Sequence, residues 1–246
     1  MIRFHKKAPV LSLLLTCASL FLFADEKTFN IPGKGSITRD VQLKRVEHYD
    51  KKGLLTSASD GYGPEENYKY NKKGKVTLFT YSNEYENKFE YDKKGNLIHT
   101  EDNEGYEVWY SYDAKGKLLL KKDSCFLEHH YYYNQDGTLA SYELHDIKGD
   151  AIILTESYYY DSKKRKNRME SSDGYEVYYT YTKDGKILEE DYSDKTKIRY
   201  VYSDTGNLLY RCTNTADSEH EEFYEYEFWG KGKIKTVKKY LWEVFG

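Results

Sequence analysis

Tyr91-Asp92-Lys93-Lys94-Gly95-Asn96-Leu97 is the stretch that decides the fold. Its spacing is an aromatic, three residues, a glycine, one residue and an aliphatic. Asp92 directly follows the aromatic, and an Asx side chain bonds backbone a short way on. Gly95 supplies the positive φ of a type I turn with a G1 bulge, a common hairpin connection. The stretch therefore reads as the turn of a β-hairpin. Outward from it, the same pattern starts at Tyr49, Tyr70, Tyr112 and Tyr133, at a spacing of 21 residues. It resumes at Tyr160 after 27 residues, at Tyr181 and Tyr202 after 21 each, and at Phe228 after 26. An internal period of this kind is the mark of a repeat architecture.

The turn glycines are Gly53, Gly74, Gly95, Gly116, Gly137, Gly185, Gly206 and Gly232. The aliphatics are Leu55, Val76, Leu97, Leu118, Leu139, Ile187, Leu208 and Ile234. One copy is degenerate: after Tyr160 come Lys164 and Lys166 at these two positions. Two residues before each repeat aromatic stands another, at Tyr68, Phe89, Tyr110, Tyr131, Tyr158, Tyr179, Tyr200 and Tyr226; only Glu47 breaks the rule. Residues two apart share a face of a strand. Each strand thus presents an aromatic pair, and the aliphatic after the turn is expected on the same face. A second turn closes each unit, as at Asp102-Asn103-Glu104-Gly105, Asp173-Gly174 and Asp60-Gly61-Tyr62-Gly63. A unit is then two strands of about six residues, an ordinary strand length.

These residues resemble the YD repeats of the RHS (rearrangement hotspot) family. The family pattern is Tyr-Asp-x-x-Gly-Arg/Asn-Leu, an Asp and Gly turn, then Tyr-x-Tyr-Asp. Tyr91 to Leu97, Asp102, Gly105 and Tyr110-Ser111-Tyr112-Asp113 match it. The resemblance implies an all-β, repetitive antiparallel β-hairpin array, a continuous sheet that curves or spirals. In larger relatives such repeats form a cocoon around a toxin or the extracellular shell of adhesion proteins. MORN-type repeats are the competing resemblance; the Asx after Tyr and the 21-residue period favour YD. No toxin domain or self-cleavage motif is expected here, and nine units look too few to enclose a cargo.

The rest of the chain bounds the function. A mean hydropathy of −0.89 with 32% charged residues excludes a multi-span helical membrane protein. Aromatics at 17% argue against disorder. Arg3, Lys6 and Lys7, an apolar run from Ala8 to Phe23 and a small residue at Ala24 read as a signal peptide over 1–24. Leu14-Leu15-Thr16-Cys17 is a looser match to a lipoprotein site, the alternative processing. Losing the leader takes the formal charge from −3 to −6, which disfavours nucleic acid as a partner. Export implies an oxidising compartment, where Cys125 and Cys212 either pair or remain buried thiols. Residues 25–44 are expected to form an N-terminal segment or edge cap, and 45–246 the repeat domain. An open array leaves two end strands unpaired, so edge-strand self-association is a further expectation.

No catalytic constellation emerges. The seven His show no zinc spacing, and no nucleophile motif or phosphate-binding Gly loop is present. The chain is read as a non-enzyme without metal or cofactor. Two binding features stand out. Trp109, Tyr132, Tyr159 and Tyr178 are out of phase with the aromatic ladder; they either pack as core or are exposed, and exposed rings beside Asp and Asn suit glycans. Lys163, Lys164, Arg165, Lys166 and Arg168 form the one basic run, either an anion patch or a solvated turn. The functional expectation is an exported scaffold or binding protein of the cell envelope or surface, recognising glycan or protein. The alternative is an immunity- or carrier-like accessory of a toxin system.

Overall fold

The computed structural model describes residues 24–60, 63, 65–82 and 84–245. The leader over 1–23, with Cys17, lies outside the described residues, as do Gly61 and Tyr62 of the expected second turn in the first unit. Among the described residues there are nineteen strands, a 3-10 turn at Gly230–Gly232 and no α-helix. The repeat turns form as the Asx–Gly pattern dictates. Around Gly95, the Asp92 amide donates to Asn96 O at 2.9 Å, the Gly95 amide donates to Asp92 O at 3.0 Å, and Asp92 Oδ1 accepts from the Asn96 amide at 2.8 Å. Gly95 has a φ of +92°, and Lys164 reaches +61° in the degenerate copy without a glycine's freedom. The register shifts by one between Glu90 and Tyr91, and Tyr91 then stands opposite Leu97. The same pairing recurs at Tyr70 with Val76, Tyr112 with Leu118 and Tyr202 with Leu208, so the aliphatic shares the ladder face.

From Gly35–Tyr49 onward, each strand pairs antiparallel with the next, up to Lys233–Phe245. That last strand then pairs with Gly35–Tyr49, from Thr236 opposite His48 to Leu241 opposite Gln42. Eighteen strands thus close into a ring. Whether the continuous sheet closes was open in the sequence; the ring has no end strands, so the edge pairing expected of an open array has no place at its termini. Closure needs the long final hairpin, with strands of 12 and 13 residues, to overlap the 15-residue strand Gly35–Tyr49.

Chirality decides which face lines the interior. The Asn71 amide bonds forward to Lys75 O, so the backbone groups of the preceding ladder Tyr70 point back to the previous strand. The register also climbs. Trp109 pairs with Lys122 and Lys122 with Glu128, yet Tyr112 lies three residues beyond Trp109 and Tyr133 five beyond Glu128. Strands of a closed sheet tilt in a right-handed sense. For L-residues, a two-residue climb per unit and backward-bonding tyrosines place the ladder on the inner wall.

The densest packing lies outside the ring. Asp25–Ile31 and the first half of Gly35–Tyr49 form a hairpin, from Asp25 opposite Val41 to Ile31 opposite Gly35. It folds over the outer face of Leu208–Asn214, Ser218–Trp229 and Lys233–Phe245. Phe29 stacks on Phe223 at 4.2 Å and tilts against Tyr240 at 5.6 Å. Ile31, Val41, Tyr210 and Cys212 complete this core. Arg39 bonds the buried Glu221 at 2.6 Å, and Lys27 donates to Tyr240 Oη at 2.7 Å. The segment 25–44 therefore covers a face and not the first edge, which Lys233–Phe245 occupies.

Candidate binding surfaces of the wall

On the inner wall, the ladder tyrosines tie each unit to the one before. The Tyr91 hydroxyl donates to Val76 O at 2.8 Å, Tyr112 to Leu97 O at 2.7 Å and Tyr133 to Leu118 O at 2.9 Å. Tyr70, Tyr160, Tyr181 and Tyr202 repeat the bond to Leu55, Leu139, Lys166 and Ile187. In the last unit Phe228 has no hydroxyl, and Tyr226 bonds Leu208 O instead at 2.8 Å. A backbone carbonyl facing a packed wall needs such a donor. The second turns are tied likewise, with the Glu107 amide on Ser124 Oγ at 3.1 Å and the Glu176 amide on Ser193 Oγ at 3.0 Å.

One sector of the inner wall is charged, which the ladder pattern concealed. Lys166, in place of the aliphatic, lies 4.4 Å over the Tyr179 ring and 5.4 Å over Tyr158. Burial lowers its pKa, against the pull of Glu190 and Glu156. The same burial, with these two carboxylates, pushes Tyr179 up to about 12. Tyr200 donates to Glu190 at 2.8 Å, and Tyr158 bonds Glu156. Further round, Arg45 grips Glu66 with two bonds of 2.7 and 2.8 Å and holds its pKa low. Burial opposes the Glu222 carboxylate, but bonds from Lys239 and Tyr224 keep its pKa below the usual range. The signal was present in Glu47 and Lys166, the residues that break the ladder, but a broken pattern does not name its partners.

The outer wall carries the other aromatics. Trp109, Tyr132, Tyr159 and Tyr178 are all exposed, at 41 to 46%. They sit on alternate strands of the wall: Glu107–Tyr112, Leu127–Tyr133, Ala151–Tyr160 and Glu176–Tyr181. Alternate strands are about 10 Å apart; Tyr159 and Tyr178 stand level across Arg168, while Trp109 and Tyr178 lie three residues before their turn aromatics and Tyr132 and Tyr159 one. Polar neighbours hold them. His99 stacks on Trp109 at 5.5 Å and reaches Glu107 at 3.0 Å. Arg168 pairs in register with both Tyr159 and Tyr178, its guanidinium 5.2 and 5.5 Å from the two rings. Tyr132 and Tyr159 donate to Glu143 and Glu170 at 3.0 and 2.6 Å. His129 and His130 point to opposite faces. His129 contacts Tyr142 Oη at 2.7 Å, and His130 lies 4.4 Å from His145.

The basic run does not form one patch. Lys164 pairs with Asp136 at 3.3 Å, Arg165 with Asp161 at 2.6 Å, and Arg168 with Glu170 and Glu176. Lys163 stays in the exposed turn. Strand alternation sends Lys166 inward and Arg168 outward, so five consecutive-looking charges divide among three places. Cys125 and Cys212 do not pair either: Cys125 is exposed in a turn and Cys212 is buried beneath the N-terminal hairpin.

A closed ring of β-hairpins, with Asx–Gly turns and a tyrosine ladder inside, defines a repeat-built β-shell. A family model described as the Teneurin YD-shell matches residues 36–165. That is more than half of the chain, and the chain belongs to this YD-shell family, not to the MORN-type repeats. None of the curated proteins matches it. Among solved structures it is similar to TcdB2-TccC3-Cdc42, at 14% identity over 77% of this chain and 13% of that one, with a TM-score of 0.39. The Photorhabdus luminescens Tc holotoxin pore is similar at 11% identity over 82% of this chain and 15% of that one, with a TM-score of 0.30. A porin-like protein from Bacteroides uniformis is similar at 11% identity over 83% of this chain and 98% of that one, with a TM-score of 0.46. This chain thus spans a small part of the length of the first two.

Proposed function

We propose that the protein is an exported, non-catalytic β-shell of the cell envelope or surface whose outer wall binds glycan. The observation that carries this reading is the arc of Trp109, Tyr132, Tyr159 and Tyr178. Four exposed rings on alternate strands of one wall cost solubility unless they serve contact. Tyr159 and Tyr178, level across Arg168, are about 10 Å apart, comparable to the span of a disaccharide, and the adjoining Glu143, Glu170 and His99 offer polar bonds at the ring edges. Export rests on the leader. The first strand starts at Asp25, directly after the expected cut at Ala24, which supports processing there. The non-catalytic reading is supported by the family's role as a structural shell and by carboxylates already engaged, such as Glu66 on Arg45 and Glu190 on Tyr200.

The test is titration calorimetry with soluble envelope polysaccharides. Trp109→Ala and Tyr159→Ala are each expected to weaken binding at least about fivefold, with the circular dichroism spectrum unchanged. Unaltered affinity in a variant lacking all four rings would remove the outer wall from the function. Protease treatment of intact cells, with fractionation as control, tests the location: protection until the envelope is broken excludes the surface.

A further inference from the structure

Of the two units that depart from the 21-residue spacing, the first builds an apolar rim. Its 27 residues between Tyr133 and Tyr160 lengthen the hairpin of Leu139–Asp146 and Ala151–Tyr160 to strands of 8 and 10 residues. Near the tip Ile147, Ile152 and Ile153 are 44, 57 and 53% exposed, and Phe126 of the neighbouring turn is 52% exposed. The Ile147 amide donates to Phe126 O at 2.9 Å, so the two turns form one surface. The register shifts between Leu144 and His145, where Ile152 is paired and Ile153 is the extra residue. Such a bulge sets two residues against one and turns both to the same side. The four side chains present roughly 400 Å² of apolar surface, the size at which patches mark contact sites.

Two features choose the occupant. Asp146, Lys148 and Asp150 alternate in sign across the tip, and the Lys148 ammonium lies 5.7 Å over the Phe126 ring. A copy related by a two-fold axis sets each Lys148 against the acids of the other, so the tip is complementary to itself. Beside Phe126, Cys125 is exposed and free, while Cys212 is buried and out of reach. In a chain read as exported, a thiol with no partner among the described residues points to an intermolecular contact.

We propose that this rim is an isologous interface between two copies of the chain, with Phe126, Ile147, Ile152 and Ile153 at its centre and Cys125 at its edge. It involves neither the outer aromatic arc nor the closing strands, so it holds whether or not the wall binds glycan.

Light scattering on the purified protein in reductant, across a wide concentration range, gives the mass. Twice the mass of the chain after loss of its leader is expected at the upper end. Ile152→Glu and Ile153→Glu change exposed positions and leave the circular dichroism spectrum intact; each is expected to raise the dissociation constant at least tenfold. Oxidised glutathione in place of the reductant then takes two electrons and two protons from paired thiols. It yields a dimer linked through Cys125 that Cys125→Ser does not form. A chain that stays monomeric at the highest concentration overturns the proposal. So does a dimer indifferent to both glutamates, which would place the contact elsewhere, such as the unpaired edge of Asp25–Ile31. Rim-dependent binding of the monomer to phosphatidylcholine vesicles would overturn it in favour of a lipid surface.

Discussion

Lys164 holds a φ of +61° at the position where the intact units place glycine. For a residue with a Cβ this left-handed backbone costs about 1 kcal/mol or more. Its ion pair with Asp136 is 59% and 44% exposed on its two sides, and surface pairs return little. The turn tolerates the strain because the rest of its pattern is intact: Asp161 Oδ1 accepts from the Lys163 and Arg165 amides at 2.8 and 2.9 Å. Lys164→Gly is therefore expected to stabilise the protein by about 1 kcal/mol, read as a higher urea midpoint with an unchanged slope. A lower midpoint would mean that the lysine side chain outweighs the backbone. The turn itself was legible in the sequence, since Asx and Gly act within a few residues. The charged inner sector was not. Arg45 and Glu66 meet across strands from positions 21 residues apart, and no local pattern pairs them.

At the scale of the element, the 21-residue unit is a self-contained step of the wall. It brings two strands, one Asx–Gly turn, one tyrosine bond to the preceding unit and a two-residue climb in register. Because the climb travels with the strands, removing a whole unit leaves strand number and stagger matched. Deletion of residues 92–112 is expected to give a folded ring of sixteen strands, in which Tyr91 runs directly into Asp113. Deletion of 92–101 removes ten residues, leaves a strand without its return and shifts the inner ladder off register. The first variant should keep a cooperative melt and a β-type circular dichroism spectrum, and the second should lose both; equal unfolding of the two would contradict the unit as the step of assembly. This much follows from the repeat. Closure does not, because it depends on a climb accumulated over nine units and on the length of Ser218–Trp229 and Lys233–Phe245. No single unit carries that information.

At the scale of the whole molecule, two kinds of interior share the load. The inner wall is aromatic and partly charged, and its tyrosines stay neutral. Burial raises Tyr68, Tyr179 and Tyr200, each to about 12. A folded-state pKa above the unfolded value of about 10 gives stability that is complete below pH 10 and lost as pH rises toward 12. Tyrosinate absorbance and loss of sheet signal should then rise together in that window; tyrosines ionising near pH 10 in an intact sheet would contradict an inner ladder. The second interior is the hairpin clamped outside the seam. The ring closes through the pairing of Lys233–Phe245 with Gly35–Tyr49, over only the six positions from Thr236 to Leu241. Phe29, 7% exposed and stacked on Phe223, presses that region from outside. Phe29→Ala leaves a cavity in the tightest part of the protein and should cost about 3–5 kcal/mol, against a few tenths for Ile98→Ala on the open wall. If the clamp holds the seam, amide exchange in Phe29→Ala rises first in Lys233–Phe245 and in residues 42–48, before the middle units at 85–112. Uniform acceleration around the ring would instead make the hairpin a general stabiliser with no special hold on closure.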